Sequence, residues 1–401
     1  MKCVNLVVKR SSLVEKQLRN NIVLIGLIYD ENLGDNAIYN STVSIIEPLI
    51  NSKIELRAID LYGRVKIDDS TLKNSVVLKL YQKIRYKIGC PENTEQTIVR
   101  KVLNECNRKI DSKTMAVIFV GGGLIKFNHQ IISAPMISVI EYCDNHRIPV
   151  MLSGVGVEGY DNSKQCQDLK KALNRKCVKS ITTRDDIELL NNCYIDRKEI
   201  HTALVADPAL SISKYYDSNI SRNKVIGFGI GRKGLFTDYG GLNTDAQIES
   251  FWQELYNKFV ENGYSVELFT NGFPADQEFA NRISQITGAK LLDRPCNLKQ
   301  LIDVITSFEG VIVTRLHSSI ISFSYSIPCI GLVWNNKQSM FGKNINRPAA
   351  FVSSKELNAD DVFEKYIFEK ENDFSVSSEY LYSTQVELKL FLESIRGTYG
   401  T

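Results

Sequence analysis

Short apolar runs rich in β-branched residues alternate along the chain with longer segments of helical periodicity. Polar or Gly-rich residues follow each run, and an amphipathic stretch comes next in most cases. Because both faces of each run are apolar, this alternation predicts a parallel sheet covered by helices on both faces. In the first half of the chain the runs predict strands at Ile22–Ile28, Ile54–Ile59, Met115–Val120, Pro149–Ser153, Ser180–Thr183 and Ala203–Ala206.

The alternation pauses over the polar stretch Ser211–Asn223 and then restarts, which predicts a second α/β domain. We therefore expect an N-terminal domain over 1–207, a linker over 208–223 and a C-terminal domain over 224–377. For the final helical stretch over 378–401, one arrangement is packing against the N-terminal domain. Two Rossmann-like sheets that face each other make a cleft lined by loops at the carboxyl ends of the strands. The predicted strands of the second domain are Val225–Phe228, Ser265–Phe269, Gly310–Val313 and Cys329–Val333, with helices at Thr244–Asn262, Leu298–Phe308 and Ser318–Tyr325.

Composition narrows the class of protein without indicating its chemistry. The 401 residues fit two domains, and a net charge of +3 excludes a polycationic nucleic-acid coat, so no nucleic-acid partner is expected. Nine cysteines without a C-x-x-C pair argue against a disulfide framework or a structural zinc site. The apolar run at the start is too short for a signal peptide, and no run reaches the length of a membrane span. We expect a cytoplasmic protein.

Two turns at predicted strand ends are candidates for ligand contact. In the first, Asn32-Leu33-Gly34-Asp35, glycine allows close backbone approach, and Asp35 either caps a helix or reaches into the cleft. In the second, Gly121-Gly122-Gly123, three glycines expose backbone N–H groups to a charged ligand or simply allow close helix–strand packing. Two G-x-G-x-x-G matches, at 154–159 and 229–234, lack the adjoining helix that a dinucleotide site requires, so we reject that interpretation.

Arginine also occupies two strand ends, at Arg184 and Arg315, and His317 follows the second. A guanidinium at a helix N-terminus binds carboxylate or phosphate through two bonds, although a surface salt bridge is the alternative for either arginine alone. Of the four histidines, only His317 combines a strand end with a nearby arginine, so it is the candidate acid/base residue. The sequence contains no zinc-protease, serine-hydrolase or P-loop motif, and we expect no metal site.

In this order, the turns resemble the pattern of the polysaccharide pyruvyl transferase family. The resemblance spans about residues 22–345. One departure is Glu188, which stands where the family often has serine three residues after the aspartate of its R-D pair. The matching segments are Asn32-Leu33-Gly34-Asp35, Gly121-Gly122-Gly123, Arg184-Asp185, Asp207-Pro208-Ala209, Arg315-Leu316-His317 and Ser326–Leu332 followed by Lys337.

The resemblance implies a two-domain fold like that of the GT-B glycosyltransferases. It also implies transfer of pyruvate from phosphoenolpyruvate to a sugar of a cell-envelope, capsular or exopolysaccharide glycan, in most cases as a cyclic ketal. On this hypothesis Arg184, Arg315 and Lys337 bind the donor, and His317 is the general acid. Phosphoenolpyruvate is a co-substrate, with neither a cofactor nor a metal. On the acceptor side or in its loops we place Asn32, Gly34, Asp35, Gly122 and Gly123.

The implied acceptor is a lipid-pyrophosphate-linked or polymeric glycan handled on the cytoplasmic side, with peripheral contact with the inner membrane surface as an accompanying expectation. Two alternatives stay open. A nucleotide-sugar glycosyltransferase on the same fold explains the cleft and the anion-binding loops equally well. A glycan-binding protein without catalytic activity is the other alternative.

Overall fold

The computed structural model describes residues 19–29, 31–64, 95–127, 130–218, 223–238, 244–355, 357–372 and 375–399. Six parallel strands form the first sheet, in the order β2-β1-β3-β5-β7-β8, and two short strands, β4 and β6, pair beside it. Every residue of β1, β3 and β5 is buried, as expected for strands covered on both faces. The strands are β1 (Asn21–Gly26), β2 (Glu55–Asp60), β3 (Thr114–Val120), β4 (Ile125–Lys126), β5 (Val150–Val155), β6 (Val157–Glu158), β7 (Val178–Thr183) and β8 (His201–Leu204).

The second sheet also has six parallel strands, in the order β11-β10-β9-β12-β13-β14. Each of the ten strands predicted from the sequence overlaps an observed strand, and the parallel arrangement is confirmed. The short strands β11 and β14 were not predicted, because two or three residues carry too little periodicity. The strands are β9 (Asn223–Gly229), β10 (Ser265–Phe269), β11 (Lys290–Leu291), β12 (Phe308–Val313), β13 (Cys329–Val333) and β14 (Phe351–Ser353).

Helices cover both sheets. Their bounds are α1 (Leu33–Ile46), α2 (Glu95–Lys109), α3 (Gln130–Asn145), α4 (Lys164–Leu173), α5 (Ile187–Leu189), α6 (Leu235–Asp238), α7 (Asp245–Glu261), α8 (Pro274–Thr287), α9 (Leu298–Thr306), α10 (Leu316–Ser324), α11 (Asn336–Asn344), α12 (Ala359–Glu371) and α13 (Ser378–Tyr399). Shorter turns of 3₁₀ helix lie at Glu47–Leu49, Pro208–Lys214 and Pro348–Ala350, and a π-helical turn lies at Leu190–Tyr194.

The core of the second sheet extends into the first half of the chain. Leu33, Ala37 and Ile38 of α1 belong to the same buried cluster as the strands and helices around β9 and β12. The segment predicted as a linker contributes the 3₁₀ helix Pro208–Lys214, whose first five residues are buried in contact with α1 and α10. The two sheets are therefore joined by a packed interface at this point.

The last helix, α13, returns to the first sheet. Its buried residues Leu388 and Phe391 share a cluster with Ile22 and Leu24 of β1 and with Ile118 of β3. Because α13 follows the entire second sheet, the chain crosses between the sheets twice. The contact holds the end of the chain against the side of the first sheet that faces α1.

Strand order locates the cleft. In each sheet the order reverses once, between β1 and β3 in the first and between β9 and β12 in the second. Loops that diverge from such a reversal leave a crevice at the carboxyl ends of the strands. The loops at these reversals include Asn32–Asp35, Gly121–Gly123 and Arg315–His317, so the fold brings three of the sequence motifs to the cleft.

One glycine at this edge has a clear structural requirement. Gly121 has a φ of 45°, and a Cβ there would lie 2.1 Å from Cγ2 of Ile38 in α1. Both the left-handed backbone and the lack of space exclude a larger residue. Close packing of α1 on the end of β3 therefore depends on this position.

Candidate active site

Arg184, Asp207 and His317 form a buried cluster between the two sheets. Arg184 follows β7, Asp207 caps the 3₁₀ helix after β8, and His317 is the second residue of α10. Nη1 of Arg184 donates to Oδ2 of Asp207 and lies 3.4 Å from Nε2 of His317. Nε2 of His317 lies 3.7 Å from the same oxygen of Asp207. Arg184, Asp207 and His317 are 7, 2 and 8% exposed. The guanidinium and the imidazole therefore share one carboxylate away from water.

The charges of this cluster stabilise one another. Burial opposes the ionised form of Asp207, but Arg184 and His317 outweigh it and lower the pKa of the carboxyl from 3.8 to about 2. Burial likewise opposes the charge of Arg184, and the carboxylates of Asp207, Asp185 and Asp35 raise the pKa of the guanidinium above its ordinary value. The ion pair is therefore present throughout the physiological pH range.

A second cluster of charged side chains lies across the cleft, beside the cluster of Arg184, Asp207 and His317. Nζ of Lys337, in α11, lies 3.2 Å from Oε2 of Glu158, and Nζ of Lys126 lies 3.2 Å from the same oxygen. Burial, followed by repulsion from Lys126, lowers the pKa of Lys337 from 10.5 to about 8. Although burial opposes it, the two lysines lower the pKa of Glu158. Lys337 is thus a cation whose charge is lost slightly above neutral pH.

A small cavity of about 10 Å³ lies where these two clusters of charged side chains meet. Its polar wall carries a guanidinium and an ammonium group, which an anionic ligand requires, together with the carboxylates of Asp185 and Asp207. The apolar wall comes from α10 and α11 of the second domain. The lining residues are Arg184, Asp185, Asp207, Lys337, Leu316, Ile320 and Phe341.

The N-terminus of α1 closes directly over the histidine. Asn32 caps the helix by accepting from the backbone N of Gly34 at 3.3 Å, and it donates to Oδ2 of Asp35 at 2.9 Å. A Cβ on Gly34 would lie 2.2 Å from Nδ1 of His317, so the close approach predicted for this glycine is a contact with the candidate acid/base residue. Asp35 is therefore not the capping residue, and its carboxylate is near enough to influence Arg184.

The glycines after β3 lie beside Asp35 and Lys337. A Cβ on Gly122 would stand 3.6 Å from Oδ1 of Asp35, and one on Gly123 would stand 2.7 Å from Nζ of Lys337. The fold thus brings together eight of the nine residues singled out in the sequence. These are Asn32, Gly34, Asp35, Gly122, Gly123, Arg184, His317 and Lys337.

Arg315 is the ninth residue, and its contacts lie elsewhere. Its guanidinium forms a bidentate ion pair with Asp276, with Nε 2.8 Å from Oδ2, and lies 5.8 Å from the ring centre of Phe273. Asp276 is fully buried and also accepts from the backbone N of Arg232 at 2.8 Å. These contacts fix the start of α10 within the second domain. Donor binding by Arg315 stays a prediction.

Sequence reasoning missed several residues of the site. Asp207 was visible as part of a motif, but its contact with Arg184 is made across 23 residues and only the folded chain shows it. Glu158 is the partner of Lys337 although the two belong to different domains. Asn344 donates from Nδ2 to the backbone O of Arg184 at 3.1 Å, a contact for which the sequence has no signal.

A larger groove of about 840 Å³ lies at the opposite end of the first sheet, beneath α13. Its wall includes Pro149 and Cys177, the residues that precede β5 and β7. Its three basic residues Arg147, Lys176 and Lys179 are balanced by three acidic ones. We place the candidate active site in the cleft, because the buried charged side chains lie there, at the points where the strand order reverses. The groove is larger but has neither of these features.

The described residues contain neither a metal-binding cluster nor a membrane-spanning helix. Within the described ranges, no group of three His, Cys, Asp or Glu side chains is arranged to hold a metal ion. In the same part of the chain, no helix combines the length and the apolar character required to cross a bilayer.

The polysaccharide pyruvyl transferase family model matches residues 32–336, well over half of the chain. The chain belongs to this family. The sequence resemblance is thereby confirmed, and membership indicates a transferase. No curated protein matches the sequence.

Solved structures show which fold the family member has. UDP-GlcNAc 2-epimerase from Methanocaldococcus jannaschii is 10% identical, with a TM-score of 0.59 over 93% of this chain and 99% of that one. UDP-GlcNAc 2-epimerase from Neisseria meningitidis is 9% identical, with a TM-score of 0.56 over 93% of this chain and 100% of that one. At such low identity the likeness concerns the fold alone, and it confirms the expected GT-B-like architecture.

Proposed function

We propose that this chain transfers the pyruvyl group of phosphoenolpyruvate to a sugar of a cell-envelope, capsular or exopolysaccharide glycan. The observation that carries the proposal is the meeting of Arg184 and Lys337 beside His317 in a cleft between two domains. Phosphoenolpyruvate carries a carboxylate and a phosphate, so its site needs more than one cation in a concave, largely buried place. Family membership supports pyruvyl transfer as the use of that anion site.

Three groups are available to the donor. Nε of Arg184 is buried and has no acceptor among the described residues, so it is a spare donor on an otherwise engaged guanidinium. Lys337 adds a second cation. Arg315 precedes α10 without capping it through its side chain, which leaves the first N–H groups of this helix to an anion. We assign Arg184 and Lys337 to the donor and retain Arg315 as a third contact.

The contact of His317 with Arg184 supports a role for this histidine as the general acid. The imidazolium gives a proton to the methylene carbon, and C2 of the donor then bonds to a hydroxyl oxygen of the sugar, which loses its proton. A second hydroxyl replaces the phosphate and yields the cyclic ketal, with its proton leaving on the phosphate. Asp207 faces Nε2 of His317, and the ion pair with Arg184 fixes the position of this carboxylate. The carboxylate can therefore hold the imidazole ring in orientation. This scheme requires neither a metal nor a further cofactor.

The acceptor side of the proposal uses the loops of the first domain. Asp35 lies beside Gly122 and the N-terminus of α1, where a carboxylate can orient a sugar hydroxyl. Asn32 holds Asp35 in place through its amide. The glycines leave the backbone accessible to a ring of the glycan. For the acceptor we retain a lipid-pyrophosphate-linked or polymeric sugar, met at the cytoplasmic face of the membrane.

Phosphate release from phosphoenolpyruvate tests the function, with methyl β-galactoside, methyl β-glucoside and methyl N-acetyl-β-mannosaminide as acceptor probes and mass analysis of the product. We expect phosphoenolpyruvate to raise the thermal midpoint, and UDP-GlcNAc to leave it unchanged. His317→Ala is expected to abolish phosphate release while phosphoenolpyruvate still stabilises the protein. The matched control is His146→Ala, at an exposed histidine stacked on Tyr142. Stabilisation by UDP-GlcNAc alone would favour a nucleotide-sugar transferase instead.

A further inference from the structure

Asp185 has one carboxylate oxygen fully engaged and one without a partner. The side chain is 4% exposed. Its Oδ1 accepts from the backbone N of Val157 at 2.7 Å, from Oγ1 of Thr183 at 2.9 Å and from the backbone N of Asp186 at 2.9 Å. Its Oδ2 is buried and accepts from none of the described residues. A buried anionic oxygen in this condition calls for a specific explanation.

The structure of the turn does not require the second oxygen. All three donors converge on Oδ1, which an asparagine could present equally well. The helix that follows is capped by Asp186, which accepts from the backbone N of Leu189 at 2.8 Å. Capping and loop closure are therefore already satisfied without Oδ2.

Charge balance does not require it either. The two buried cations of the site each have a carboxylate of their own, Asp207 for Arg184 and Glu158 for Lys337. Asp185 is an additional negative charge placed near both of them, since it acts on the pKa of each. An additional buried charge costs free energy unless a ligand uses it.

The unpartnered oxygen belongs to a residue at the edge of the cleft. Asp185 lines the cavity that Arg184 and Lys337 share. A Cβ on Gly156 would lie 3.1 Å from Oδ2, so glycine at this position leaves a space beside the oxygen that a side chain would fill. The backbone O of Gly122 is also near this point, at 3.3 Å from the same Cβ position.

We infer that Asp185 is a catalytic residue whose Oδ2 accepts the hydroxyl of the acceptor sugar and takes its proton as that hydroxyl attacks C2 of the donor; this inference rests on the proposed function. The new bond joins the sugar oxygen to C2, and the electron pair of the double bond takes up the proton that His317 delivers to the methylene carbon. The hydroxyl proton passes to Oδ2. When the second hydroxyl displaces the phosphate, its own proton leaves with the phosphate. Return of the proton from Asp185 to His317 restores both groups.

Asp185→Asn tests the inference, because asparagine keeps the oxygen that the turn needs and removes the proton acceptor. Phosphate release is measured with phosphoenolpyruvate and saturating methyl glycoside, using whichever of the three probes the wild type accepts. We expect kcat to fall by about 10²–10⁴-fold, the usual loss on removing a general base. Asp186→Asn is the matched control, since it makes the same change at the next residue, outside the site, and is expected to retain turnover.

Donor binding is measured on the same variants by thermal shift with phosphoenolpyruvate. The inference is supported if kcat of Asp185→Asn falls while the phosphoenolpyruvate concentration that gives half of the maximal thermal shift stays unchanged. Turnover of Asp185→Asn close to that of the wild type overturns it, and so does a loss of donor binding as large as the loss of kcat, because Asp185 would then hold the donor site. Gly156→Ala adds a methyl group in front of Oδ2 and is expected to raise the KM for the glycoside more than that for phosphoenolpyruvate. A wild type that releases no phosphate with any probe and is not stabilised by phosphoenolpyruvate refutes the proposed function itself.

Discussion

Replacing Asp207 by asparagine removes the carboxylate that Arg184 and His317 share. Asparagine retains one side-chain oxygen, which can serve either the backbone N of Ala209 or Arg184 but carries no charge. Arg184 is 7% exposed and would lose the anion with which it is paired. The substitution therefore leaves a buried guanidinium with incomplete compensation and should lower the free energy of unfolding.

The magnitude follows from two independent considerations. A pKa held at about 2 rather than 3.8 corresponds to about 2 kcal/mol of stability from the ionised form of Asp207. Breaking a buried ion pair by removing one partner costs about 3–5 kcal/mol. Because the folded-state pKa is lowered, this contribution is present above about pH 4 and is lost as the pH falls through about 2. We expect a loss of about 2–5 kcal/mol at neutral pH.

Urea unfolding followed by the fluorescence of Trp252 and Trp334 measures the loss. The control is Asp168→Asn, at a surface carboxylate with 42% side-chain exposure that lies 3.5 Å from Lys171. An exposed pair of this kind contributes about 0–1 kcal/mol, so the control should unfold almost as the wild type does. If Asp207→Asn unfolds at the same urea concentration as the control with an unchanged slope, the reasoning about the buried pair is refuted.

Four further results are expected. Stabilisation by phosphoenolpyruvate should weaken between about pH 7 and about pH 9, because Lys337 loses its charge near pH 8, and Lys337→Met should remove this dependence; thermal shifts at both pH values measure it. Gly34→Ala should lower phosphate release by about 100-fold or more with an unchanged circular dichroism spectrum, since the added Cβ displaces His317. Arg315→Ala and Asp276→Asn should each lower the free energy of unfolding by about 3–5 kcal/mol. Arg315→Ala should in addition raise the KM for phosphoenolpyruvate, and an unchanged KM would exclude Arg315 from the donor site.

The sequence was informative wherever function depends on strand ends. Parallel strands with both faces buried are continuous apolar runs, and their carboxyl ends lie at one edge of the sheet, so residues that follow such runs are neighbours in the fold. This is why Gly34, Arg184 and His317 could be grouped before their contacts were known. The same reasoning locates the glycines after β3 beside Lys337.

Pairing between side chains could not be predicted in the same way. Arg315 and Asp276 are 39 residues apart, at the starts of two different helices, and nothing in their spacing marks them as partners. The contrast between Asp185 and Asp186 is likewise invisible in sequence, because one carboxylate lines the cavity and the next caps a helix. Which carboxylate meets which cation depends on side-chain directions that only the packed interface determines.

The cavity between the domains has a consequence for the timing of the reaction. At about 10 Å³ it has room for about one water molecule, whereas both substrates of the proposed reaction are far larger. Its walls come from both domains, and the ion pair between Glu158 and Lys337 spans them. For the proposed reaction we therefore expect each turnover to include an opening of the cleft, a motion of microseconds to milliseconds that can limit kcat more than the chemistry does. In the proposed reaction, walls that close in this way would keep bulk water from the donor and favour transfer to a sugar over hydrolysis.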